Sequence, residues 1–86
     1  MGSYQIEIKP SASKELEKLP RQIIPRVVAA INELVKDPYP QGVKKLTGFD
    51  HTYRIRVGDY RILYTIYENR LVIEIIRVRH RKDAYR

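Results

Sequence analysis

The stretch Thr52-Tyr53-Arg54-Ile55-Arg56-Val57-Gly58-Asp59-Tyr60-Arg61-Ile62-Leu63-Tyr64-Thr65-Ile66-Tyr67 decides the fold. It is rich in β-branched and aromatic residues, and much of it alternates apolar with polar in period two, the pattern of half-buried strands. Gly58-Asp59 interrupts it as a two-residue hairpin turn, with glycine where a type II′ turn requires it. Two antiparallel strands, 52–57 and 60–67, follow from that turn. Val57 then lies opposite Tyr60 and Arg56 opposite Arg61. Tyr53, Ile55 and Val57 face one side of the sheet, and Arg54 and Arg56 face the other.

Downstream, Glu68-Asn69 reads as a second tight turn and Leu71 to Val78 as a third strand. Upstream, Val43 to Leu46 adds a short strand before Gly48. Tyr4 to Lys9 alternates apolar and polar as a first strand, ended by Pro10-Ser11 with Ser11 as a helix N-cap. Ala12, Leu16 and Leu19 then recur at i, i+4 and i+7 opposite Lys14, Glu15, Glu17 and Lys18, a short amphipathic helix. A second helix follows Pro20 and buries Ile23, Ile24, Val27, Val28, Ile31, Leu34 and Val35. Pro25 either kinks that helix or marks its start, and Asp37-Pro38-Tyr39-Pro40 ends it. The short link between the helices predicts an antiparallel helix hairpin. Strand, helix hairpin, then a three- to four-strand antiparallel meander is an α+β order, with the helices covering one face of the sheet.

At 86 residues there is room for one domain, 1–86. The absence of cysteine excludes a disulfide staple and thiolate zinc sites, and fits a reducing cytoplasm. No apolar run approaches the ~18 residues of a membrane span, and the N-terminus has no apolar signal region. The formal charge is +7, and it is uneven: 6 basic against 5 acidic residues in 1–43, but 11 against 5 in 44–86. A basic half on a small domain points to an anionic partner, nucleic acid first.

The chemistry-bearing residues gather in that half. Like charges directly opposed on a sheet repel, so Arg56 against Arg61 suggests an anion between them. The last strand runs into Arg77-Val78-Arg79-His80-Arg81-Lys82-Asp83-Ala84-Tyr85-Arg86. Arginine forks suit phosphate oxygens, histidine titrates near neutrality, and tyrosine stacks on bases. Cleaving a phosphodiester through a ribose 2′-OH needs a base, cations for the pentavalent intermediate, and an acid for the leaving oxygen. This cluster has groups for all three without a metal. His51 and His80 are far apart in sequence and no carboxylate pair has ligand spacing, so a metal nuclease is disfavoured. By spacing alone, Arg54 and Arg56 also fit a solvated strand face, and the terminal basic run a solvated tail.

Over about residues 4–86 the chain resembles the RelE/ParE superfamily of bacterial toxins, the RelE branch in particular. The resemblance is carried by Tyr-Gln-Ile-Glu-Ile-Lys-Pro-Ser-Ala at 4–12, Leu-Thr-Gly at 46–48, Tyr-Arg-Ile-Arg-Val-Gly-Asp-Tyr-Arg-Ile-Leu-Tyr at 53–64 and Val-Arg-His-Arg-Lys-Asp-Ala-Tyr-Arg at 78–86. It implies a RelE-like microbial RNase-type fold and the toxin role of a type II toxin–antitoxin system. It also implies a cytoplasmic, cofactor-free endoribonuclease that cuts messenger RNA in the A site of the 70S ribosome. The implied partners are ribosome, messenger RNA and an acidic RelB-like antitoxin, with the free toxin a monomer and the antitoxin complex of higher order. Position by position, the family's basic pair falls on Arg54 and Arg56. Its phosphate-stabilising arginine falls on Arg61, its arginine after the last strand on Arg81, and its C-terminal tyrosine on Tyr85. His80 matches a histidine that many relatives carry. The best-known family pattern has lysines where this chain has Arg54 and Arg56. Arginine keeps its proton at ordinary pH, which moves both to phosphate binding alongside Arg77, Arg79 and Lys82 and leaves the proton transfers to His80 and Tyr85. Two alternatives share the fold: a ParE-like inhibitor of DNA gyrase, and a non-catalytic RNA- or ribosome-binding module.

Overall fold

The computed structural model of the protein describes residues 3–82. Its elements are β1 (Gln5–Ile8), α1 (Pro10–Glu17), α2 (Ile24–Glu33), β2 (Lys44–Lys45), β3 (Thr52–Val57), β4 (Tyr60–Tyr67) and β5 (Val72–His80). The strands form one sheet in the order β1-β5-β4-β3-β2, so the α+β expectation holds. β2 to β5 are antiparallel neighbours, whereas β1 lies parallel to β5 with Gln5 opposite Val72 and Ile8 opposite Ile75. A parallel pair needs a long crossover, and everything from α1 to β4 serves as one.

Both helices lie on the same face, α1 mainly against β5 and α2 against β3. Helix α1 begins at Pro10 with Lys9 at the N-cap and no side-chain cap, so Ser11 sits inside the first turn rather than capping it. Proline suits that position because its fixed φ is already helical and it has no N–H to satisfy. Pro25 likewise falls in the first turn of α2, so it marks a start and not a kink. From α2 and its flanks Ile23, Val27, Ile31 and Leu34 are buried, while Val28 remains 39 % exposed. Each buried aliphatic contributes about 1.5–3 kcal/mol, and they close over Ile55, Val57, Ile62, Tyr64, Ile66, Ile73, Ile75 and Val78 of the sheet.

The β3–β4 register is the expected one, Val57 opposite Tyr60 and Arg56 opposite Arg61, and Gly58 carries the positive φ of +59° that its turn demands. The β4–β5 turn is longer than expected. Residues 68–71 separate paired Tyr67 and Val72, and Leu71 takes φ +53°.

One departure matters for function. In β5, Tyr64 pairs with Ile75 but Leu63 pairs with Arg77, so Ile76 is an extra residue, a β-bulge. Unbroken alternation from Ile73 and Ile75 would send Arg77 and Arg79 into the core. The bulge instead buries Val78 at 2 % exposure and leaves both arginines on the open face.

Tyr64, fully buried, donates its hydroxyl to the Pro38 carbonyl at 2.8 Å and pins the segment after α2 to the sheet. Burial, and then the Asp37 charge, push this phenol well above its ordinary value of 10.0. The folded state therefore holds the proton more tightly than the unfolded chain. That stabilisation is complete below pH 10 and is lost as pH rises from there toward the folded-state value. In melting curves recorded at rising pH, wild type is expected to lose stability more steeply above pH 10 than Tyr64→Phe does. At neutral pH the variant should be about 1–2 kcal/mol less stable, because the buried Pro38 carbonyl loses its donor.

Candidate nucleic-acid interface

Alternation and register sort the open face into three cross-strand rows. Nearest the Gly58-Asp59 turn lie Arg56, Arg61 and Arg79. Next come Lys44, Arg54, Leu63 and Arg77, and beyond them Thr52, Thr65 and Glu74. Thr52 and Thr65 bond hydroxyl to hydroxyl at 3.0 Å. The far row is thus neutral to acidic, and positive charge concentrates toward the hairpin end.

Arg61 is the centre of the first row. Its Nε and Nη1 atoms are buried and have no hydrogen-bond partner among the described residues. A buried donor left unpaired costs ~1–3 kcal/mol, more on a charged group, and here a second guanidinium stands opposite on each side. Such an arrangement opposes folding on its own and suits an anion with several acceptor oxygens.

Arg79 is held differently. Its Nε donates to Glu15 Oε2 at 2.5 Å, while Glu15 Oε1 accepts the Val78 N–H at 2.9 Å. β1 stops at Ile8 opposite Ile75, so the edge of β5 beyond it lacks a neighbouring strand. The α1 carboxylate takes that strand's place, satisfies the edge N–H and fixes Arg79.

β5 continues into Arg81, whose backbone N–H donates to the Asp59 carbonyl at 2.8 Å. This extends the ladder one step past the Tyr60–His80 pair and brings exposed Arg81 and Lys82 to the end of the sheet where the first row lies. His80 goes elsewhere. It pairs with Tyr60, on the helix-covered face, and the two rings meet edge to face at 5.4 Å. Its Nδ1 accepts the Lys82 N–H at 3.3 Å. Arg54, Arg56, Arg61, Arg77 and Arg79 are therefore brought together on one face, Arg81 and Lys82 to its end, and His80 to the opposite face. Tyr85 lies outside the described residues. Among the described residues, no group of three or more histidines and carboxylates gathers in metal-ligand fashion, and no helix is long and apolar enough to cross a membrane.

Comparison with known proteins bears on this geometry. The family described as the ParE toxin of the type II toxin–antitoxin system parDE matches residues 6–85. Toxin RelG of Mycobacterium tuberculosis is 34 % identical over 84 residues, which cover 96 % of this chain and 97 % of that protein. The chain is a RelE-type toxin of the RelE/ParE superfamily. A RelE-type fold is seen again in the crystal structure of the archaeal RelE–RelB complex of Pyrococcus horikoshii, with a TM-score of 0.83 at 31 % identity, covering 95 % of this toxin and 99 % of that chain. The RelBE2 toxin–antitoxin complex of Mycobacterium tuberculosis aligns at 0.79 and 31 % identity, over 91 % of this chain and 98 % of that one.

Three residues that shape the toxin's open face, Lys44 on it, Phe49 beside it and Glu15 reaching its edge from α1, escaped sequence reasoning. Lys44 joins the second row only through the β2 pairing. Glu15 looks like any charge on the polar side of α1 until Val78 and Arg79 are placed against it. Phe49 stands 57 % exposed beside the second row. A signal for the bulge does exist in Ile75-Ile76-Arg77-Val78-Arg79, where strict alternation would bury two arginines.

Proposed function

We propose that this RelE-type toxin is a metal-independent endoribonuclease that cuts messenger RNA on the ribosome. In this reading the ribose 2′-oxygen attacks the adjacent phosphorus, the bond to the 5′-oxygen breaks, and a 2′,3′-cyclic phosphate and a 5′-hydroxyl result. Arg61, flanked by Arg56 and Arg79, binds the phosphate and stabilises the charge that grows on its oxygens. Arg54, Arg77 and Lys82 track the neighbouring phosphates. Arg81 stabilises the charge on the leaving 5′-oxygen while keeping its own proton, and solvent water supplies the proton that makes the 5′-hydroxyl. The 2′-OH proton is assigned to Tyr85 ahead of His80, because His80 packs on Tyr60 across the sheet from the row. The observation that carries the reading is the Arg56–Arg61–Arg79 row with two buried, unpartnered donor nitrogens on Arg61. An acidic RelB-like antitoxin is the proposed inhibitor, supported by relatives whose solved structures are RelE–RelB complexes.

The test is induced expression in a bacterial host of wild type and of an Arg61→Ala/Arg81→Ala/Tyr85→Ala variant, with messenger RNA 5′ ends mapped by primer extension within minutes. New ends inside translated frames are expected for wild type, absent in the variant and abolished when initiation is blocked. The ParE description of the matching family favours a second reading, gyrase inhibition. Growth arrest without new ends, accompanied by altered DNA supercoiling, would replace the first reading with that one.

A further inference from the structure

A cleft of about 630 Å³ opens beside the arginine row, between the segment after β2 and the β5 bulge. That volume lies within the ~300–1,000 Å³ of ordinary small-ligand sites. Its apolar lining includes Leu63 and Ile76, Phe49 stands at it half-exposed, and Lys44, Arg54 and Arg77 supply cationic heads. Among the described residues no carboxylate lines it. The bulge makes this lining: Ile76 and Arg77 are consecutive, yet both border the cleft opposite Leu63.

We propose that this cleft is a nucleobase subsite with Phe49 as its stacking face. The inference rests on the nucleic-acid reading of the adjacent row and extends it to the base. The lining selects the occupant by its chemistry. It offers hydrogen-bond donors and an apolar, partly aromatic wall, so it suits a flat ring that carries acceptors and is tied to a negative charge. A nucleotide has all three attributes; an acidic peptide has the charge without the obligatory flat ring. Spacing agrees. The cleft row and the Arg56–Arg61–Arg79 row are two residues apart along each strand, about 7 Å at ordinary strand rise, the reach from a phosphate to the base it carries. Phe49 belongs to a loop and, among the described residues, supports none of the buried core, so its exposure serves no packing there.

The experiment is equilibrium binding of a short 2′-O-methyl RNA, which cannot be cleaved, beside an abasic oligonucleotide of equal length and charge and an acidic peptide of equal charge. Phe49→Ala is expected to weaken binding of the base-bearing strand about tenfold, in line with the loss of one base stack, while the abasic strand binds as before. Phe49→Tyr, which keeps the ring, should bind like wild type. Equal weakening on both strands, or no weakening on either, overturns the base subsite while leaving the arginine row in place. A tenfold loss confined to the acidic peptide overturns it in favour of a protein segment. If wild type binds neither strand, the subsite and the nucleic-acid reading fail together; if wild type binds both, Arg61→Ala weakens both alike and Phe49→Ala weakens neither, the subsite fails alone.

Discussion

Arg61→Met should raise the melting temperature of the toxin and at the same time remove the cleavage proposed for it. The two halves of the result have one cause. Two donor nitrogens of Arg61 are buried without a partner among the described residues, and Arg56 and Arg79 oppose it from either side. Methionine fills the same volume, needs no hydrogen bonds and carries no charge. Relief of the desolvated donors is worth about 1 kcal/mol or more, which in a domain of this size is roughly a 4–8 °C shift. Losing one preorganised charge contact to the transition state costs ~10²–10³ in rate. Circular-dichroism melting beside primer extension measures both. A variant that is less stable than wild type would mean Arg61 is a structural cation, and the site would have to be rebuilt around another residue. Stability gained where activity is lost is the signature of a residue kept for function.

Deletion of Ile76 is expected to leave folding cooperative. Ile76 is the one residue of β5 without an opposite number, so its removal makes the Tyr64–Ile75 and Leu63–Arg77 pairs consecutive steps of a regular ladder. Val78 then stays in the core it occupies at 2 % exposure, and Arg77 and Arg79 stay on the open face. Slipping the strand with Ile76 kept in regular alternation is the costly alternative, because it would bury two unpaired guanidiniums. Ile76→Val keeps the extra residue and should melt cooperatively within about 1.5 kcal/mol of wild type. Chemical denaturation followed by near- and far-ultraviolet circular dichroism measures both variants. Loss of the cooperative transition in the deletion variant would show that β5 needs the bulged geometry itself and not merely the right residues on each face.

Local rules carried the sequence reading far and stopped at identifiable points. The β3–β4 hairpin was legible because Gly58-Asp59 pins turn and register together, so Arg56 fell opposite Arg61 by counting. α2 was legible from its period, although Val28 turned out half-open. The Ser11 cap was misplaced because Pro10 already starts the helix. His80 and its neighbours read as one basic run, but a strand sends adjacent residues to opposite faces, and the run was divided between the arginine row and Tyr60. Glu15 was invisible because its partners lie at the far end of the chain. No local pattern records which strand edge a helix side chain will meet.

The parallel pairing of β1 with β5 has a kinetic consequence. Gln5 finds Val72 only after everything from α1 to β4 exists, and the Glu15 clasp on Val78 and Arg79 comes later still. Contacts this distant in sequence slow folding. A nascent chain still lacking β5 has an unsealed first strand, an untethered first helix and an arginine row missing its third member. Competence therefore arrives in one step, with β5. For a chain of this family, that delay sets an interval in which an inhibitor already made can be waiting.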